Sequence, residues 1–399
     1  MFETFLRAME QKSATRLEKT GSASALWFNE WAKLGLRAYD PGNKVVFTSA
    51  YSFPMEIVEA FDAVPFDFEL AAGTMTAGPL GVPAMSEAED RGYSMDTCSF
   101  HRAALGASYL DYFPKPDALI TTSYYCDGKV KTNEILAAAS GVGSLLLHVP
   151  AAVTAESVAY VSKQLREITR AVGEAIGQKP DHDRLKAAVR SSNRARKSQL
   201  RMLELLKHCP APWGGSQLVG FSINSQLFTG NEIRERLHDA FASEMERKIE
   251  EGGGRPERHR LYWFAWIPTY RSEVFEILEQ RQISVPLCET FRLCWDEIDE
   301  DNPFEGLALR CLNNPFVGPG RRRTDCLESI VEDYGIDGAI LFATPACRQS
   351  ISGYVLLKEA LGKLGLPLLV LDMDIGDSRS YMRGQIRTRL EAFAELLDG

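Results

Sequence analysis

Short, nearly continuous apolar runs alternate along this chain with longer segments in which apolar residues recur every three or four positions. A continuous apolar run is typical of a strand that is buried on both faces, and the wider spacing is typical of a helix that covers such a sheet. The pattern therefore predicts an α/β protein built on parallel sheets. The runs lie at Lys44–Thr48, Val64–Phe66, Asp117–Thr122, Leu145–Val149, Arg260–Trp266, Ile283–Leu287, Asp337–Ala343 and Leu366–Leu371.

The same succession of elements occurs in both halves of the chain. A strand, a loop with a tyrosine and a proline, a helix and a second strand occupy residues 44–66, and this order recurs at 260–287. Later in each half, an aspartate opens a strand that leads into a loop with a cysteine at its tip, Cys126 or Cys347. Because the succession occurs only twice, it indicates an internal duplication and not a solenoid. We predict two doubly wound, flavodoxin- or Rossmann-like lobes with parallel sheets.

The segment between the two halves has a different pattern. It is strongly helical, and the glycines and proline of 252–256 are the clearest linker signal in the chain. The predicted domains are a helical leader over 1–40, a first α/β lobe over 41–154, a helical bridging segment over 155–256 and a second α/β lobe over 257–399.

Three of the eight cysteines stand where metal chemistry would need them. Ligands of open α/β sheets bind beyond the carboxyl ends of the strands, and Cys126 and Cys347 both follow strands at that edge. Cys98 is expected in the first turn of a helix capped by Asp96 or Thr97, where a thiolate is stabilised. A single cysteine is more often a small buried hydrophobe. That alternative fits the cysteines without the strand–loop–helix setting, which are Cys209, Cys288, Cys294, Cys311 and Cys326.

Three thiolates from separate segments would hold a [4Fe–4S] cluster and leave one iron without a protein ligand. Such an open iron is a reaction site, and we expect it in the cleft between the lobes. A fourth cysteine on the cluster, with Cys288 and Cys294 as the obvious candidates, would instead indicate an electron carrier. The sequence thus predicts Cys98, Cys126 and Cys347 as the metal- and cofactor-binding residues.

Composition narrows the class of protein. The 399 residues are 45% hydrophobic and 25% charged, which is ordinary for a globular chain of two or three domains. A net charge of -9 argues against nucleic-acid or anionic-membrane binding, and no apolar run is long enough to span a membrane. The first residues include acids and lack a signal-peptide core. We therefore expect a cytoplasmic location, where thiols are free to bind metal.

The segments around the three cysteines are more specific than their positions alone. Asp96–Arg102, Tyr124–Gly128 and Pro345–Ser350 resemble the cluster-binding segments of the 2-hydroxyacyl-CoA dehydratase and benzoyl-CoA reductase family. The tail, Leu371–Phe393, is similar to the C-terminal segment of that family. The resemblance covers the chain from about Val45 to its end, and the helical middle is the least distinctive part.

This resemblance implies an enzyme, either an (R)-2-hydroxyacyl-CoA dehydratase, which is a lyase, or a related ATP-dependent acyl-CoA reductase of anaerobic metabolism. It implies a [4Fe–4S] cluster held by Cys98, Cys126 and Cys347 between the lobes, and single-electron ketyl radical chemistry on an acyl-CoA thioester. The implied partners are a homologous second subunit, or a second copy of this chain, and a transient ATP-hydrolysing iron–sulfur activator. The sequence contains no Gly-x-x-x-x-Gly-Lys-Ser/Thr phosphate loop, so we expect the activator to use the ATP.

Two other functions remain open at this point. Within the family, the alternative is a homodimeric ATP-dependent reductase whose subunits share a double-cubane cluster and reduce small molecules. The alternative from another class is a non-enzymatic iron–sulfur electron carrier. A substrate tunnel next to the cluster would favour the acyl-CoA enzyme, and a closed, bridged cluster would favour the double cubane.

The candidate catalytic residues lie in or next to the same loops. Ser99 is a candidate for hydrogen bonding to the cluster, and an equal alternative is that it satisfies the first turn of the helix. Tyr51, Tyr124 and Tyr125 are candidate proton donors, as are Tyr270 and His101, although tyrosines in such loops more often serve packing. The basic run Arg321–Arg323 is a candidate for docking CoA phosphates or the activator, and the alternative is a solvated loop.

Overall fold

Two four-stranded parallel sheets with the same strand order form the framework of the protein. The computed structural model describes residues 1–399 except 50–52, 216, 217, 219, 222–224, 255 and 293–295. The first sheet has the order β2-β1-β3-β4 and the second has the order β6-β5-β7-β8. The strands are β1 Lys44–Thr48, β2 Ala63–Asp67, β3 Ala118–Thr122, β4 Ser144–Leu147, β5 His259–Ala265, β6 Ile283–Cys288, β7 Gly338–Ala343 and β8 Leu368–Asp372.

Helices flank both sheets, so the predicted α/β class with two doubly wound lobes is confirmed. The N-terminal helices are α1 Phe2–Thr20 and α2 Ala23–Arg37. Around the first sheet lie α3 Glu56–Glu59, α4 Phe68–Thr76, α5 Gly81–Asp90, α6 Ser99–Tyr109 and α7 Asp127–Ser140. The middle helices are α8 Ala155–Ile176, α9 His182–Leu205 and α10 Glu232–Glu250. The remaining helices are α11 Val274–Gln280, α12 Pro303–Leu312, α13 Leu327–Tyr334, α14 Arg348–Ile351, α15 Tyr354–Lys363 and α16 Arg383–Asp398.

The central strands explain why the apolar runs are continuous. Every residue of β3 and of β7 is buried, because helices cover both faces of each sheet. By contrast, β4 lies at the edge of its sheet and two of its four residues are exposed. The burial pattern thus follows the position of each strand within its sheet.

A pair of aspartates is used in the same way in both lobes. Asp117 precedes β3, and its carboxylate accepts a hydrogen bond from the backbone N–H of Val45 on β1 at 2.9 Å. Asp337 precedes β7, and its carboxylate accepts one from the backbone N–H of Arg260 on β5 at 2.8 Å. Each aspartate therefore fixes the amino-end register of the two central strands. This shared device, together with the shared strand order, is what an internal duplication would produce.

The long middle helices have clear local signals at their ends. The side chains of Thr154 and Asp181 accept hydrogen bonds from the first turns of α8 and α9, and Gly177 ends α8 in a left-handed conformation that suits glycine. Helix α12, although it follows β6 along the chain, packs on α8, and its Phe304 and Leu307 join the core of the first sheet. The predicted domain boundaries stay a prediction. No helix in the described part of the chain is both long and apolar enough to cross a membrane.

Candidate functional site

Each of the three predicted cysteines directly precedes a helix. Cys126 lies between β3 and α7, and Cys347 lies between β7 and α14, so both stand at the carboxyl ends of corresponding strands. Cys98 is the residue before α6 and not part of its first turn, and no side chain caps that helix. The expectation that Asp96 or Thr97 caps a helix containing Cys98 is therefore wrong by one residue.

The three cysteines line one cavity of about 830 Å³. The first lobe contributes residues of α4, α6 and α7, and the second lobe contributes the loop after β5 together with Cys347. Burial raises the pKa of the Cys98 thiol well above its usual value, and the nearby thiolates of Cys347 and Cys126 raise it further. Because these charges affect one another, the three sulfurs lie within electrostatic reach. The structure thus brings the predicted trio together between the lobes.

Cys126 has a charged hydrogen-bond partner at its sulfur. His101, in the first turn of α6, is buried and hydrogen-bonded to Cys126, and its Nε2 lies 3.2 Å from Oε1 of Glu69. Burial opposes the charge on this imidazole, but the bonds to Cys126 and Glu69 prevail and raise its pKa to about 9. Burial likewise opposes the Cys126 thiolate, yet the His101 hydrogen bond and charge lower its pKa. Glu69, His101 and Cys126 therefore form a continuous polar chain.

A buried lysine extends this polar chain. Lys129 is 1% exposed, and its ammonium donates a hydrogen bond to Oγ1 of Thr122 at 2.9 Å. Burial lowers its pKa to about 8, although the charges of Glu69, Cys126 and Asp67 support the ammonium form. The carboxyl of Asp67 is also buried, and burial together with the Glu69 charge raises its pKa well above the usual value. The ionisable groups on this side of the site therefore interact with one another.

Cys347 has neutral hydrogen-bond donors instead. Burial raises the pKa of its thiol, which the Ser350 backbone and side chain and the Trp266 side chain oppose by donating hydrogen bonds. Behind this loop, Arg323 is 4% exposed and forms a two-pronged ion pair with Glu289, at 2.6 and 2.8 Å. The same guanidinium donates to the backbone carbonyls of Gln349 and Ser352, at 3.2 and 2.9 Å. The ion pair therefore holds the segment that follows the cysteine.

The chemistry of this donor set fits an iron–sulfur cluster better than a single ion. Soft thiolates favour iron–sulfur clusters, and hydrogen bonds to the sulfurs are a usual feature of such sites. Within the described residues, no group of three or more His, Cys, Asp and Glu side chains is placed to hold one metal ion. The thiolates of a cubane each bind a different iron, so they do not need to meet at one point. The cluster stays a prediction, with Cys98, Cys126 and Cys347 as the residues that would hold it.

The structure gives Ser99 a partner outside its own helix. Ser99 is fully buried, and its hydroxyl accepts a hydrogen bond from the backbone N–H of Gly376 at 3.1 Å. Gly376 follows β8, so this bond joins the two lobes next to Cys98. The hydroxyl is thus engaged between the lobes, and its predicted role toward a cluster stays a prediction.

The predicted tyrosines have different surroundings. Tyr124 and Tyr125 are both 8% exposed, and Tyr125, with a left-handed backbone at φ 74°, receives a hydrogen bond from the amide of Asn314 at 2.9 Å. Their rings lie 5.0 Å apart, and the Lys129 ammonium lies 5.3 Å from each ring centroid. Tyr51 lies outside the described residues. The catalytic roles of all three stay predictions.

Other candidates fall into structural positions. Arg322 donates to the backbone carbonyls of Leu312 and Val317, and Arg323 is buried as described, so both arginines have partners within the fold. The docking role of Arg321–Arg323 stays a prediction. Cys288 is buried in the core of the second sheet, 3.2 Å from the Thr290 hydroxyl, and does not line the cavity. Cys294 lies outside the described residues.

The sequence patterns do not single out Glu69, Lys129 or Trp266. Asp67-Phe-Glu69 directly follows a strand, where polar residues collect, but it resembles an ordinary helix start, and Asp67 indeed caps α4. Lys129 lies in the first turn of α7, three positions after Cys126, the residue that precedes this helix. Trp266 comes at the end of an apolar run and is naturally assigned to the strand.

Comparison with known proteins gives a consistent picture. A model of the family described as "2-hydroxyglutaryl-CoA dehydratase, D-component" matches residues 50–397. A benzoyl-CoA reductase subunit of Thauera aromatica is 24% identical over 391 residues, covering 90% of each chain. The (R)-phenyllactyl-CoA dehydratase alpha subunit of Clostridium sporogenes is 21% identical over 380 residues, covering 91% of each chain. The (R)-2-hydroxyglutaryl-CoA dehydratase alpha subunit of Acidaminococcus fermentans is 22% identical over 299 residues, 71% of this chain and 61% of its relative.

Proposed function

The chain belongs to the 2-hydroxyglutaryl-CoA dehydratase D-component family, and we propose that it is the subunit of an acyl-CoA dehydratase or reductase that carries a catalytic [4Fe–4S] cluster. The family membership confirms the resemblance predicted from the sequence. Since the relatives are subunits of dehydratases and of a reductase, the prediction of an enzyme is confirmed as well. The observation that carries the proposal is the meeting of Cys98, Cys126 and Cys347 at one cavity between the lobes.

The proposed cluster would be held by these three cysteines, which leaves one iron to a non-cysteine ligand. When bound, such a cluster supplies a low-potential electron and a Lewis-acidic iron for a thioester carbonyl. The His101 and Trp266 side chains would donate hydrogen bonds to the sulfurs of Cys126 and Cys347, as they do to the thiols. The protein's other contributions are to bind the substrate, to orient it and to exclude water.

The cavity favours an enzyme that binds a sizeable substrate. Its volume of about 830 Å³ falls in the range of small-molecule sites, roughly 300–1,000 Å³. An electron carrier needs no space for a substrate. A double-cubane cluster would fill part of the cavity itself. The cavity therefore supports an enzyme that binds a substrate over an electron carrier.

The proposal includes partners. The relatives are each named as one subunit of a larger enzyme, so we propose that this chain works with a homologous second subunit or a second copy of itself. The ATP-hydrolysing iron–sulfur activator and the cytoplasmic location are part of the same proposal. The test for the activator is that the purified chain alone does not hydrolyse ATP.

Substitution of each cysteine tests the ligand set. Cys98→Ala, Cys126→Ala and Cys347→Ala should each lose the brown chromophore or most of the iron after anaerobic reconstitution. Each variant would have only two cysteine ligands left to hold the proposed cluster. The measurement is iron per chain together with the visible absorption spectrum, on variants whose circular dichroism matches the unaltered protein.

Cys209→Ala is the matched control, because that thiol is exposed and bonded to Glu257, away from the cavity. It should keep its iron. Full iron retention in all three of the other variants would remove the basis of the proposal.

A further inference from the structure

Cys98 is positioned differently from the other two cysteines. Cys126 and Cys347 come shortly after the central strands β3 and β7, whereas Cys98 follows a turn between α5 and α6. Residues 94–96, just before it, are exposed, and no side chain caps the helix that begins after it. The position of Cys98 therefore depends on the contacts of the residues on either side of it.

Arg102 holds two consecutive backbone carbonyls at this point. Its own N–H donates to the carbonyl of Cys98 at 2.9 Å. Its side chain turns back along α6, and Nε donates to the carbonyl of Thr97 at 3.0 Å. Arg102 is 1% exposed, and a guanidinium is planar with donors in fixed directions, so its other donors point away from Thr97. The residue pair at the cysteine is thus bonded to one buried side chain.

The other donors of this guanidinium belong to a closed ring of alternating charges. Arg102 is paired with Glu89 of α5 and, at 3.1 Å, with Asp377. Arg379 is paired with the same two carboxylates, at 2.6 and 2.7 Å. Oδ1 of Asp374 accepts a hydrogen bond from the backbone N–H of Asp377 at 2.7 Å, which fixes the loop that carries the ring. Charge-assisted bonds of this kind hold the guanidinium in one orientation.

The loop after β8 therefore supports both sides of a cysteine that belongs to the other lobe. On one side, Ser99 accepts a hydrogen bond from the N–H of Gly376, as described above. On the other side, Thr97 is connected through Arg102 to Asp377, the next residue of that loop. The second lobe thus contributes to the site in two ways, with its own cysteine and with this support.

We propose that Arg102 is a positioning residue for the cluster site, which fixes the backbone at Cys98 together with the loop after β8 and so prepares that thiol to bind the proposed cluster. Arg102 does not line the cavity, so it acts through Cys98 and not on a substrate. Residues behind the metal ligands commonly orient them in this way. The inference rests on the proposed function, because it assumes that Cys98 is an iron ligand.

Arg102→Met tests this role, because methionine fills much of the same space and has no hydrogen-bond donor on its side chain. The variant loses the side-chain bonds to Thr97, Glu89 and Asp377. Both carboxylates keep Arg379 as a partner, so neither is left without a cation.

The matched control is Arg310→Met, which replaces another buried arginine that does not line the cavity. It leaves the fully buried Glu56 without the guanidinium that pairs with it at 2.6 and 2.7 Å. Breaking a buried pair in this way is strongly destabilising. The control should therefore lose more stability than Arg102→Met, so a loss of iron in Arg102→Met alone would not be a general effect of stability.

Iron retention is the first measurement. The full chain is reconstituted anaerobically and then treated with increasing concentrations of an iron chelator. Loss of a residue that orients a metal ligand typically weakens metal binding by about 10–100-fold. Arg102→Met should therefore lose its iron at a chelator concentration about tenfold lower than the unaltered protein, and Arg310→Met should match the unaltered protein.

The second measurement needs no cluster. The iron-free chain is alkylated with iodoacetamide under native conditions, and each cysteine peptide is followed by mass spectrometry. Cys98 should react several-fold faster in Arg102→Met, and the exposed Cys209 should react at the same rate in all proteins. Removal of a positive charge near a thiol by itself slows this reaction, because less thiolate is present. A faster reaction therefore reports a loosened backbone.

Asp377→Asn isolates the support from the second lobe. It keeps the shape of the side chain and removes its charge, so it should change iron retention and Cys98 alkylation in the same direction as Arg102→Met, but by less. This variant also carries the test if Arg102→Met does not fold. Cys98 alkylation equal to that of the unaltered protein in Asp377→Asn would then overturn the inference.

The outcomes separate the inference from the function on which it rests. Unchanged iron retention or unchanged Cys98 alkylation in Arg102→Met would each overturn the role of Arg102, and so would an equal loss of iron in Arg310→Met. In those cases Cys98→Ala should still lose its iron, and the proposed function stands. If Cys98→Ala keeps its iron, the proposed ligand set fails and the inference fails with it.

Discussion

The two lobes place a cysteine in the same position and then surround it with different chemistry. Cys126 follows β3 and Cys347 follows β7, and Asp117 and Asp337 tie those strands to their neighbours in the same way. Yet hydrogen bonding and charge from His101 lower the pKa of Cys126, while burial raises the pKa of Cys347. The duplicated framework therefore explains the position of each sulfur but not its charge.

The difference comes from the segments inserted between equivalent strands. In the first lobe, α4 and α6 lie between β2 and β3 and bring Glu69 and His101 to the sulfur itself. In the second lobe, the segment between β6 and β7 brings the Glu289–Arg323 pair, which lies behind the cysteine loop and holds its backbone. One insertion thus supplies a charged hydrogen-bond donor to the sulfur, and the other holds the backbone of the cysteine loop.

Breaking a buried ion pair in each lobe should cause the greatest loss of stability. Arg323→Met leaves Glu289 buried and unpaired, and Arg310→Met does the same to Glu56, which is fully buried and paired at 2.6 and 2.7 Å. Each change should lower the free energy of unfolding by about 3–5 kcal/mol. Urea unfolding followed by circular dichroism measures this loss.

Iron content should separate these two equally destabilised variants. Arg323 also holds the carbonyls of Gln349 and Ser352, so its loss loosens the loop of Cys347 and should reduce iron uptake. Arg310→Met should keep its iron, because the other side-chain partner of Glu56 is the Ser192 hydroxyl on α9, which is not part of a cysteine loop. Equal iron loss in both variants would contradict a special role for the second-lobe pair.

The cysteines of this site can be predicted from the sequence, but their polar partners cannot. The cysteines can be found because each follows an apolar run typical of a strand and precedes a segment with helical spacing. This local pattern occurs in both halves of the chain. The polar partners Glu69 and Lys129 cannot be found in this way. Acidic residues at helix starts and lysines within helices are common, and only tertiary contacts bring these two to the cysteine. The packing of α12 on α8 is a long-range contact of the same kind.

A more modest effect should appear in the middle helices, which belong to neither sheet. His238 on α10 is fully buried, and its Nδ1–H donates to the carbonyl of Ala195 on α9 at 2.9 Å. Burial and the Arg234 charge lower its pKa to about 3. Below pH 6.5 the unfolded chain binds a proton that the folded chain does not, so stability falls as the pH drops toward 3. The contribution of His238 to the loss at pH 5 should be about 2 kcal/mol relative to pH 7.

This acid response should be independent of both lobes. His238→Asn should remove most of the fall in stability between pH 7 and pH 5. His182→Gln, at the exposed start of α9, is the control and should also keep it. A fall that persists in His238→Asn would mean that another group governs the acid response.

The weakest effect concerns the hydrogen bond between Ser99 and Gly376, which joins the two lobes next to Cys98. Ser99→Ala removes the acceptor of the Gly376 N–H, but that N–H keeps a second partner, Oδ1 of Asp374 at 2.8 Å. The free energy of unfolding should therefore fall by only about 0.5–1.5 kcal/mol, with unchanged iron content. Ser329→Ala, whose exposed hydroxyl bonds within its own turn, is the matched control and should cost less than about 0.5 kcal/mol. If Ser99→Ala instead alters the visible spectrum of the reconstituted protein, Ser99 acts on the cluster.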